Sequence, residues 1–182
     1  MKIDDIITID SSSLDCDKVF ITSDTHFSHK NILVYEAEYR PFKDKVDMDE
    51  QLIARWNSVV GKDDVVFHLG DFAFADDKKI RKYVERLNGR IYLLLGNHDR
   101  VRKFDWNSLG FARVLSNPFL FDGKYIMSHE PIDEIPTGKV NLFGHVHGSD
   151  YFKTITENSA CLCVERWNCT PVDYDVVRSW FV

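Results

Sequence analysis

Cysteine is scarce in this sequence, and the cysteines that occur form no C-x-x-C pair. Their four positions are Cys16, Cys161, Cys163 and Cys169. The last three are the one combination of thiols that could form a zinc site, but no histidine lies near them to complete it. We therefore expect reduced thiols that pack as small hydrophobic side chains, as is usual in a reducing compartment.

Long apolar stretches are also missing, and so are the repeats, low-complexity tracts and Pro/Gly/Ser-rich linkers of a multidomain chain. No run approaches the roughly 18 apolar residues that a membrane-spanning helix needs. The N-terminus, Met1-Lys2-Ile3-Asp4-Asp5, lacks the basic start and the apolar stretch of a secretory signal. With a hydrophobic content of 44%, we predict one domain over residues 1–182, without a membrane partner and located in the cytoplasm.

Basic residues are too few to give the chain a positive surface. Lys and Arg number 23 against 29 Asp and Glu, for a formal net charge of −6. This balance argues against broad electrostatic capture of nucleic acid, which needs a basic face. Bound divalent cations would nevertheless make one place on the surface attractive to phosphate, so a nuclease stays an alternative.

The first half of the sequence alternates short apolar runs with segments of helical periodicity. Residues 18–23 predict a strand, and Asp47 is expected to cap a helix that runs through about Val60. A turn at residues 61–64 leads into a second strand, and residues 76–88 predict a second helix with Gly89 as its stop. The order β-α-β-α-β favours parallel strands with right-handed crossovers.

The second half of the sequence is richer in strands. Two apolar runs, residues 119–121 and 125–127, flank Asp122-Gly123, a strong signal for a two-residue hairpin. Further strands are predicted at 139–143, at about 160–164 and at about 169–172, a closing helix at 173–181, and an edge strand with a turn within 1–17. Mixed strands with helices outside predict an α/β fold, a four-layer α/β/β/α sandwich with two mixed β-sheets flanked by helices.

Side chains of the metal-binding type stand at or just past the ends of five apolar runs. They are Asp24 and His26, Asp71, Asn97 with His98 and Asp99, His129, and His145 with His147. Because the strands of an α/β sheet deliver polar groups to one edge, we expect these side chains to lie close together. Oxygen and nitrogen donors without thiolate suit two neighbouring divalent cations. If the backbone is extended at Asp24-x-His26 and at His145-x-His147, the two donors of each pair project to the same side.

The ordered set of motifs resembles that of the calcineurin-like metallophosphoesterases. The motifs are Asp24-Thr25-His26, Gly70-Asp71, Gly96-Asn97-His98-Asp99, Ser128-His129 and Gly144-His145-Val146-His147. A single block such as Gly-Asp recurs by chance in many proteins, but five blocks in this order over residues 24–147 are specific. Within the family, the sequence is most similar to the small bacterial and phage phosphoesterases that have no cap domain.

The resemblance implies two four-ligand shells that share one carboxylate. One metal ion would be held by Asp24, His26, Asp71 and His147, and the other by Asp71, Asn97, His129 and His145. His98 would lie near the leaving-group oxygen as its proton donor, with Asp99 as the orienting partner of His98. We expect Mn²⁺ first, with Fe, Ni, Co or Zn as other metals that suit these ligands.

The predicted reaction is hydrolysis of a phosphodiester or phosphomonoester by in-line attack of a hydroxide that bridges the two metal ions. Since a chain of this length has no room for a cap domain, we expect an open cleft and a phosphodiesterase rather than a phosphomonoesterase. The expected partner is a small phosphorylated substrate, such as a nucleotide. Two alternatives remain, a catalytically idle scaffold of the same fold that binds a protein and a nuclease that acts on nucleic acid.

Two residues after the first motif are candidates for substrate contact. Arg40 could clamp a phosphate with two hydrogen bonds, although a loop arginine is usually a solvated surface group. His29 is either a substrate contact or an ordinary exposed loop residue. Four phenylalanines could stack a nucleobase or pack in the core, namely Phe27, Phe42, Phe72 and Phe74. Trp167-Asn168 resembles a late element of the family, but no chemistry is assigned to it.

Overall fold

Two five-stranded β-sheets form the centre of the fold. The computed structural model describes residues 6–101 and 104–182. The strands are β1 (Thr8–Ile9), β2 (Val19–Thr22), β3 (Val65–His68), β4 (Arg90–Leu94), β5 (Arg113–Leu115), β6 (Phe119–Phe121), β7 (Tyr125–Met127), β8 (Val140–Phe143), β9 (Ser159–Cys161) and β10 (Val172–Asp173). The helices are α1 (Ile32–Tyr35), α2 (Lys45–Val59), α3 (Asp77–Arg86), α4 (Asn97–Arg100) and α5 (Tyr174–Ser179), with 3₁₀ turns at Ser11–Ser13, Trp106–Leu109 and Val164–Trp167.

Both sheets are mixed, as predicted. In the first sheet the strand order is β10-β2-β3-β4-β5, with β10 antiparallel to β2 and all other neighbours parallel. In the second sheet the order is β1-β6-β7-β8-β9, and only the β6–β7 hairpin is antiparallel. Strands such as β3 are buried along their whole length, which is why the parallel strands read as near-continuous apolar runs in the sequence.

The alternation of side chains along each strand determines the packing of the layers. Ile21 and Phe67 face a core between the two sheets, where they pack against residues of the second sheet such as Phe121. Their neighbours Phe20 and Val66 point to the opposite face, which packs against α2 and α3. These contacts give three successive layers: helices α2 and α3, then the first sheet, then the second sheet. The fourth layer, helices on the outer face of the second sheet, stays a prediction.

The hairpin predicted at Asp122-Gly123 is present, but its loop has three residues, Asp122 to Lys124, and not the predicted two. Phe119 pairs with Met127 and Phe121 with Tyr125 across the loop. Asp122 and Gly123 both have positive φ, 48° and 62°. This backbone matches the right-handed twist of the flanking strands and explains why an Asp-Gly pair stands there.

Several element bounds differ from the predicted ones. Helix α2 begins at Lys45 and is capped by Asp44, not by Asp47, because the Asp44 carboxylate accepts hydrogen bonds from Val46 N at 2.8 Å and Asp47 N at 3.0 Å. Strand β5 was not predicted. The strand expected at about 160–164 ends at Cys161, and the one expected at about 169–172 is the short β10.

The N-terminal edge strand is found as β1, which pairs with β6 at the edge of the second sheet. Residues 1–5 of the predicted segment lie outside the described residues. Within residues 6–101 and 104–182, no helix has both the length and the apolar character needed to cross a membrane.

Replacing Asp44 with Ala tests the observed start of α2. We expect the variant to melt about 2–4 °C lower, because two backbone N–H groups of the first turn lose their acceptor. The measurement is thermal unfolding followed by circular dichroism, with Asp63→Ala in the exposed turn before β3 as the matched control. Equal melting temperatures for the two variants would contradict the capping role.

Candidate metal centre

Side chains from five strand ends meet at one edge of the paired sheets. Asp24 and His26 follow β2, Asp71 follows β3, Asn97 follows β4, His129 follows β7, and His145 and His147 follow β8. Two sets of ligand atoms lie mutually within 4.8 Å, one in Asp24, His26 and His147 and the other in Asp24, Asp71 and His129. The structure therefore brings together the side chains that the sequence predicted as ligands.

The backbone at these positions is not extended, contrary to the expectation for the D-x-H and H-x-H pairs. Five residues have left-handed backbone angles, with φ of 58° at Asp24, 49° at His26, 56° at Asp71, 71° at His145 and 49° at His147. Side chains with a Cβ adopt this region rarely, and it costs free energy. Strands β2, β3 and β8 therefore end in sharp turns that carry the predicted ligands, and such strain is typical of functional sites.

Two glycines that precede predicted ligands are required by close packing. A Cβ on Gly96 would overlap the backbone and carboxylate of Asp71, and a Cβ on Gly144 would overlap Ser23 and the carboxylate of Asp24. Any larger residue would displace these carboxylates. The glycines of the Gly-Asn and Gly-His motifs are thus part of the geometry of the site.

The first group of donors surrounds an oxygen of Asp24. Asp24 Oδ1 lies 3.8 Å from His26 Nε2 and 3.7 Å from His147 Nε2. Among the described residues, neither Asp24 Oδ1 nor either ring nitrogen of His26 has a hydrogen-bond partner, although all are buried. Donor atoms on one tetrahedral metal ion are about 3.4 Å apart, so these unsatisfied atoms have the spacing of a ligand set.

The second group of donors surrounds the side-chain oxygen of Asn97. Asn97 Oδ1 lies 2.8 Å from His129 Nε2 and 3.0 Å from His145 Nδ1. His129 Nδ1 is 2.8 Å from the Leu69 carbonyl and donates to it, so in a neutral ring the lone pair is on Nε2. The lone pair of His129 Nε2 and the oxygen Asn97 Oδ1 repel each other at 2.8 Å unless a positive group lies between them. A bound cation would supply that positive group.

Asp71 lies between the two groups. Asp71 Oδ2 is 3.6 Å from His26 Nε2 in the first group and 3.6 Å from His129 Nε2 in the second. Its other oxygen, Oδ1, accepts a hydrogen bond of 2.9 Å from His98 N, which fixes the carboxylate plane. One oxygen atom is thus in reach of both groups.

The electrostatics of the site favour bound cations. Burial, together with the negative charges of Asp24 and Asp99, raises the pKa of Asp71 to about 8. Burial also holds the pKa of His26 well below its usual range, so its ring is neutral and can act as a ligand. Divalent cations would supply the positive charge that these buried carboxylates lack. The residues present therefore fit a metal centre.

His98 and Asp99 occupy different environments from each other. The His98 side chain is 46% exposed, and its Nε2 lies 3.9 Å from Asp71 Oδ2. Asp99 is fully buried and accepts hydrogen bonds from the backbone N–H groups of Asp71, Phe72 and Gly96. These contacts hold the Asp71 turn, so the placement of Asp99 does not support its predicted role as the orienting partner of the His98 ring.

Arg40 is buried, contrary to the expectation of a phosphate contact in the cleft. It is 1% exposed, and its guanidinium donates to Glu165 and to the carbonyl oxygens of Asp24 and Thr25. These bonds turn the guanidinium towards the backbone of the site. The structure thus gives no support to a bidentate clamp on substrate.

His29 lies beside the site, stacked on Phe74 with ring centroids 3.8 Å apart. Phe74 also contacts the rings of His98 at 4.9 Å and His26 at 5.4 Å. Of the four phenylalanines considered, Phe27 and Phe72 are fully buried, and Phe42 packs against the core around α2. Only Phe74 is therefore placed at the site.

Glu165 contacts the site and was not predicted from the sequence. Glu165 is buried, and its Oε1 lies 2.9 Å from Nδ1 of His147. It directly follows the strand predicted at about 160–164, so the signal that marked the other five strand ends was present there as well. Trp167 and Asn168 are structural, since Trp167 Nε1 donates to the Cys161 carbonyl and Asn168 accepts from Arg55.

Comparison with known proteins gives one matching family and several relatives. Residues 17–181 match the family of calcineurin-like phosphoesterases. The uncharacterized protein MJ1445 of Methanocaldococcus jannaschii is 38% identical over 170 residues, which cover 88% of this chain and 89% of the relative. The Gene 66 protein of Mycobacterium phage L5 is 38% identical over 133 residues, which cover 71% of this chain and 58% of the phage protein.

Two solved structures share the fold. AQ665 of Aquifex aeolicus, a protein of unknown function, matches with a TM-score of 0.70 and 23% identity over 89% of this chain and 98% of its own. The Pseudomonas putida nuclease MPE matches with a TM-score of 0.51 and 24% identity over 71% of this chain and 61% of its own. At these identities the two structures support the two-sheet α/β fold. The match to nearly the whole sequence shows that this chain belongs to the calcineurin-like phosphoesterase family.

Proposed function

We propose that this protein is a dinuclear metal-dependent phosphoesterase that cleaves phosphodiesters in preference to phosphomonoesters. The observation that carries the proposal is the position of Asp71 Oδ2, 3.6 Å from the nearest nitrogen of both His26 and His129. A carboxylate oxygen placed between two groups of ligands suits a pair of cations that share it. The family match supports the same chemistry.

The ligand groups are assigned as two shells. Asp24, His26, Asp71 and His147 form one, and Asp71, Asn97, His129 and His145 form the other. Mn²⁺ is the first choice of metal, and Fe, Ni, Co or Zn also suit nitrogen and oxygen donors. When bound, the cations supply Lewis acidity, an activated water and neutralisation of the phosphoryl oxygens.

His98 is assigned as the proton donor to the leaving-group oxygen. Its side chain is half exposed, and its Nε2 is 3.9 Å from the shared oxygen of Asp71. The backbone N–H of His98 donates to Asp71 Oδ1, and this hydrogen bond fixes the position of the His98 backbone relative to Asp71. An imidazole in this position can protonate an alkoxide as it leaves, which a metal ion does poorly.

The aromatic pair of His29 and Phe74 marks the leaving-group side of the site. Phe74 contacts His98, and His29 is 5.3 Å from the ring of the proposed ligand His26. A flat surface beside the proton donor suits a leaving group with a ring, such as a nucleoside or an aryl group. This position supports substrate contact by His29.

The scaffold alternative requires a site that has lost its ligands. The convergence of the seven proposed ligands supports an active enzyme over an idle scaffold. Nucleic acid is a second candidate substrate because one protein of the same fold is named a nuclease. The net charge of −6 favours small diesters over polymers.

Binding of Mn²⁺ to metal-free protein is expected to raise the melting temperature by about 5–10 °C at a concentration near 100 times Kd. The reason is that cations bind only the folded site and offset the repulsion between the Asp24 and Asp71 carboxylates. Differential scanning fluorimetry measures the shift, with Asp71→Asn as a variant that should gain much less. If none of Mn²⁺, Fe²⁺, Ni²⁺, Co²⁺ and Zn²⁺ changes the melting temperature, the proposed metal centre is wrong.

Hydrolysis of bis-p-nitrophenyl phosphate by the Mn²⁺ form is expected to exceed that of p-nitrophenyl phosphate, and a chelator should abolish both. Release of p-nitrophenolate measures the two rates. A faster monoester reaction would contradict the preference for diesters, and the absence of both reactions would contradict the enzyme assignment.

Replacement of His98 by Ala tests the proton donor. We expect kcat to fall about 10²–10⁴-fold with a diester whose leaving group is an alcohol, and much less with a p-nitrophenolate leaving group, which needs no proton. Metal content by elemental analysis should equal that of the wild type. An equal loss with both leaving groups, or a loss of metal, would show that His98 has another role.

Salt dependence separates small diesters from nucleic acid as substrates. We expect the rate with a dinucleotide to change little between 50 and 200 mM salt, because the chain lacks a basic face that follows a phosphate backbone. A polynucleotide bound in the low micromolar range or tighter, with affinity that falls steeply with salt, would support the nuclease instead. Fluorescence anisotropy with labelled single-stranded DNA and RNA provides that measurement.

A further inference from the structure

A buried ion pair links three separate segments of the chain behind the proposed metal centre. Arg40 Nη2 lies 2.6 Å and Arg40 Nε 2.8 Å from the same oxygen of Glu165, and both side chains are fully buried. Arg40 lies between α1 and α2, and Glu165 lies in the 3₁₀ turn Val164–Trp167. The pair therefore connects the first ligand motif with the C-terminal part of the chain.

Each end of the pair contacts the backbone or ring of a proposed ligand. Arg40 donates to the carbonyl oxygen of Asp24 at 2.5 Å and to that of Thr25 at 2.9 Å. These bonds hold the strained turn that carries Asp24 and His26. Glu165 Oε1 lies 2.9 Å from His147 Nδ1, which donates to it.

The bond to Glu165 determines which nitrogen of His147 can bind a metal ion. In a neutral ring with Nδ1–H donated to the carboxylate, the lone pair is on Nε2, which faces Asp24 Oδ1 at 3.7 Å. Arg166, the next residue, donates to the His147 carbonyl at 2.8 Å. The 3₁₀ turn thus fixes both the ring and the backbone of this ligand.

Stability alone gives no reason for a buried ion pair at this place. Removing two charges from water is costly, and well-packed apolar residues of similar volume are often at least as stable. The donors of Arg40 are instead directed at groups that shape the site. The second ligand group has different supports, since His129 is held by the Leu69 carbonyl.

We propose that Arg40 and Glu165 are positioning residues that set the affinity of one metal position, the one formed by Asp24, His26 and His147, and leave the other position unchanged. The inference rests on the proposed function. It predicts that a change at Glu165 converts a protein with two tight metal positions into one with a tight and a weak position.

The test replaces Glu165 with Gln, which keeps the size of the side chain and removes its charge. Mn²⁺ binding is measured by isothermal titration calorimetry, and the signal of spin-coupled Mn²⁺ pairs by electron paramagnetic resonance. We expect the Mn²⁺ affinity of one of the two positions to fall about 10–100-fold. The signal of the coupled pair should then be absent at low Mn²⁺ concentration and return at high concentration. The rate of diester hydrolysis should return with it.

The matched control is Glu50→Gln, the same change in an Arg–Glu ion pair that lies on the surface. Arg86 donates to both oxygens of Glu50, at 2.8 and 2.6 Å, and both side chains are exposed. This control should bind two Mn²⁺ ions as the wild type does. Arg40→Lys serves as a second variant, since it keeps the charge but cannot make all of the guanidinium bonds, and should weaken the same position.

Three outcomes would overturn the inference. Wild-type binding of both ions by the Glu165 and Arg40 variants would show that the pair does not act on the metal centre. An equal weakening of both positions together with a lower melting temperature would show a general structural role. If the wild type itself binds no metal ion, the proposed function fails as well, which distinguishes that result from the other two.

Discussion

The structure depends on one constraint, the need to neutralise carboxylates that are buried side by side. Asp24 and Asp71 are almost inaccessible to solvent, burial and the charge of Asp24 raise the pKa of Asp71, and burial keeps the ring of His26 neutral, so that it supplies lone pairs rather than positive charge. The two divalent cations that we propose would supply the missing positive charge. The unsatisfied nitrogens of His26 and the lone pair of His129 have the same explanation.

The fold supplies the rigidity that such a site requires. Two sheets packed face to face bring the ends of five strands to one edge, and the apolar cores on both sides of the first sheet hold those ends in place. Left-handed turns at the ligands and the close approach at Gly96 and Gly144 are costly locally. The regular packing elsewhere offsets this cost, a division between scaffold and site that is common in enzymes.

Much of this arrangement could be predicted from the sequence because strand ends are local signals. The apolar runs before Asp24, Asp71 and His129 marked the site, and Asp122-Gly123 marked the hairpin. The conformation of the D-x-H turn could not be predicted, since tertiary contacts determine left-handed backbone angles. The burial of Arg40 depends on Glu165, which is 125 residues away in the sequence, and no local pattern reports such a contact. The α2 cap was misplaced by one helical turn because Asp44 and Asp47 are both good capping residues.

The central claim is that Asp71 is shared by two metal ions. Anomalous diffraction from a crystal soaked in Mn²⁺, recorded on both sides of the manganese absorption edge, tests it most directly. We expect two anomalous peaks, one beside Asp24, His26 and His147 and one beside Asn97, His129 and His145, with Asp71 Oδ2 between them. A single peak, or two peaks that do not share Asp71, would contradict it.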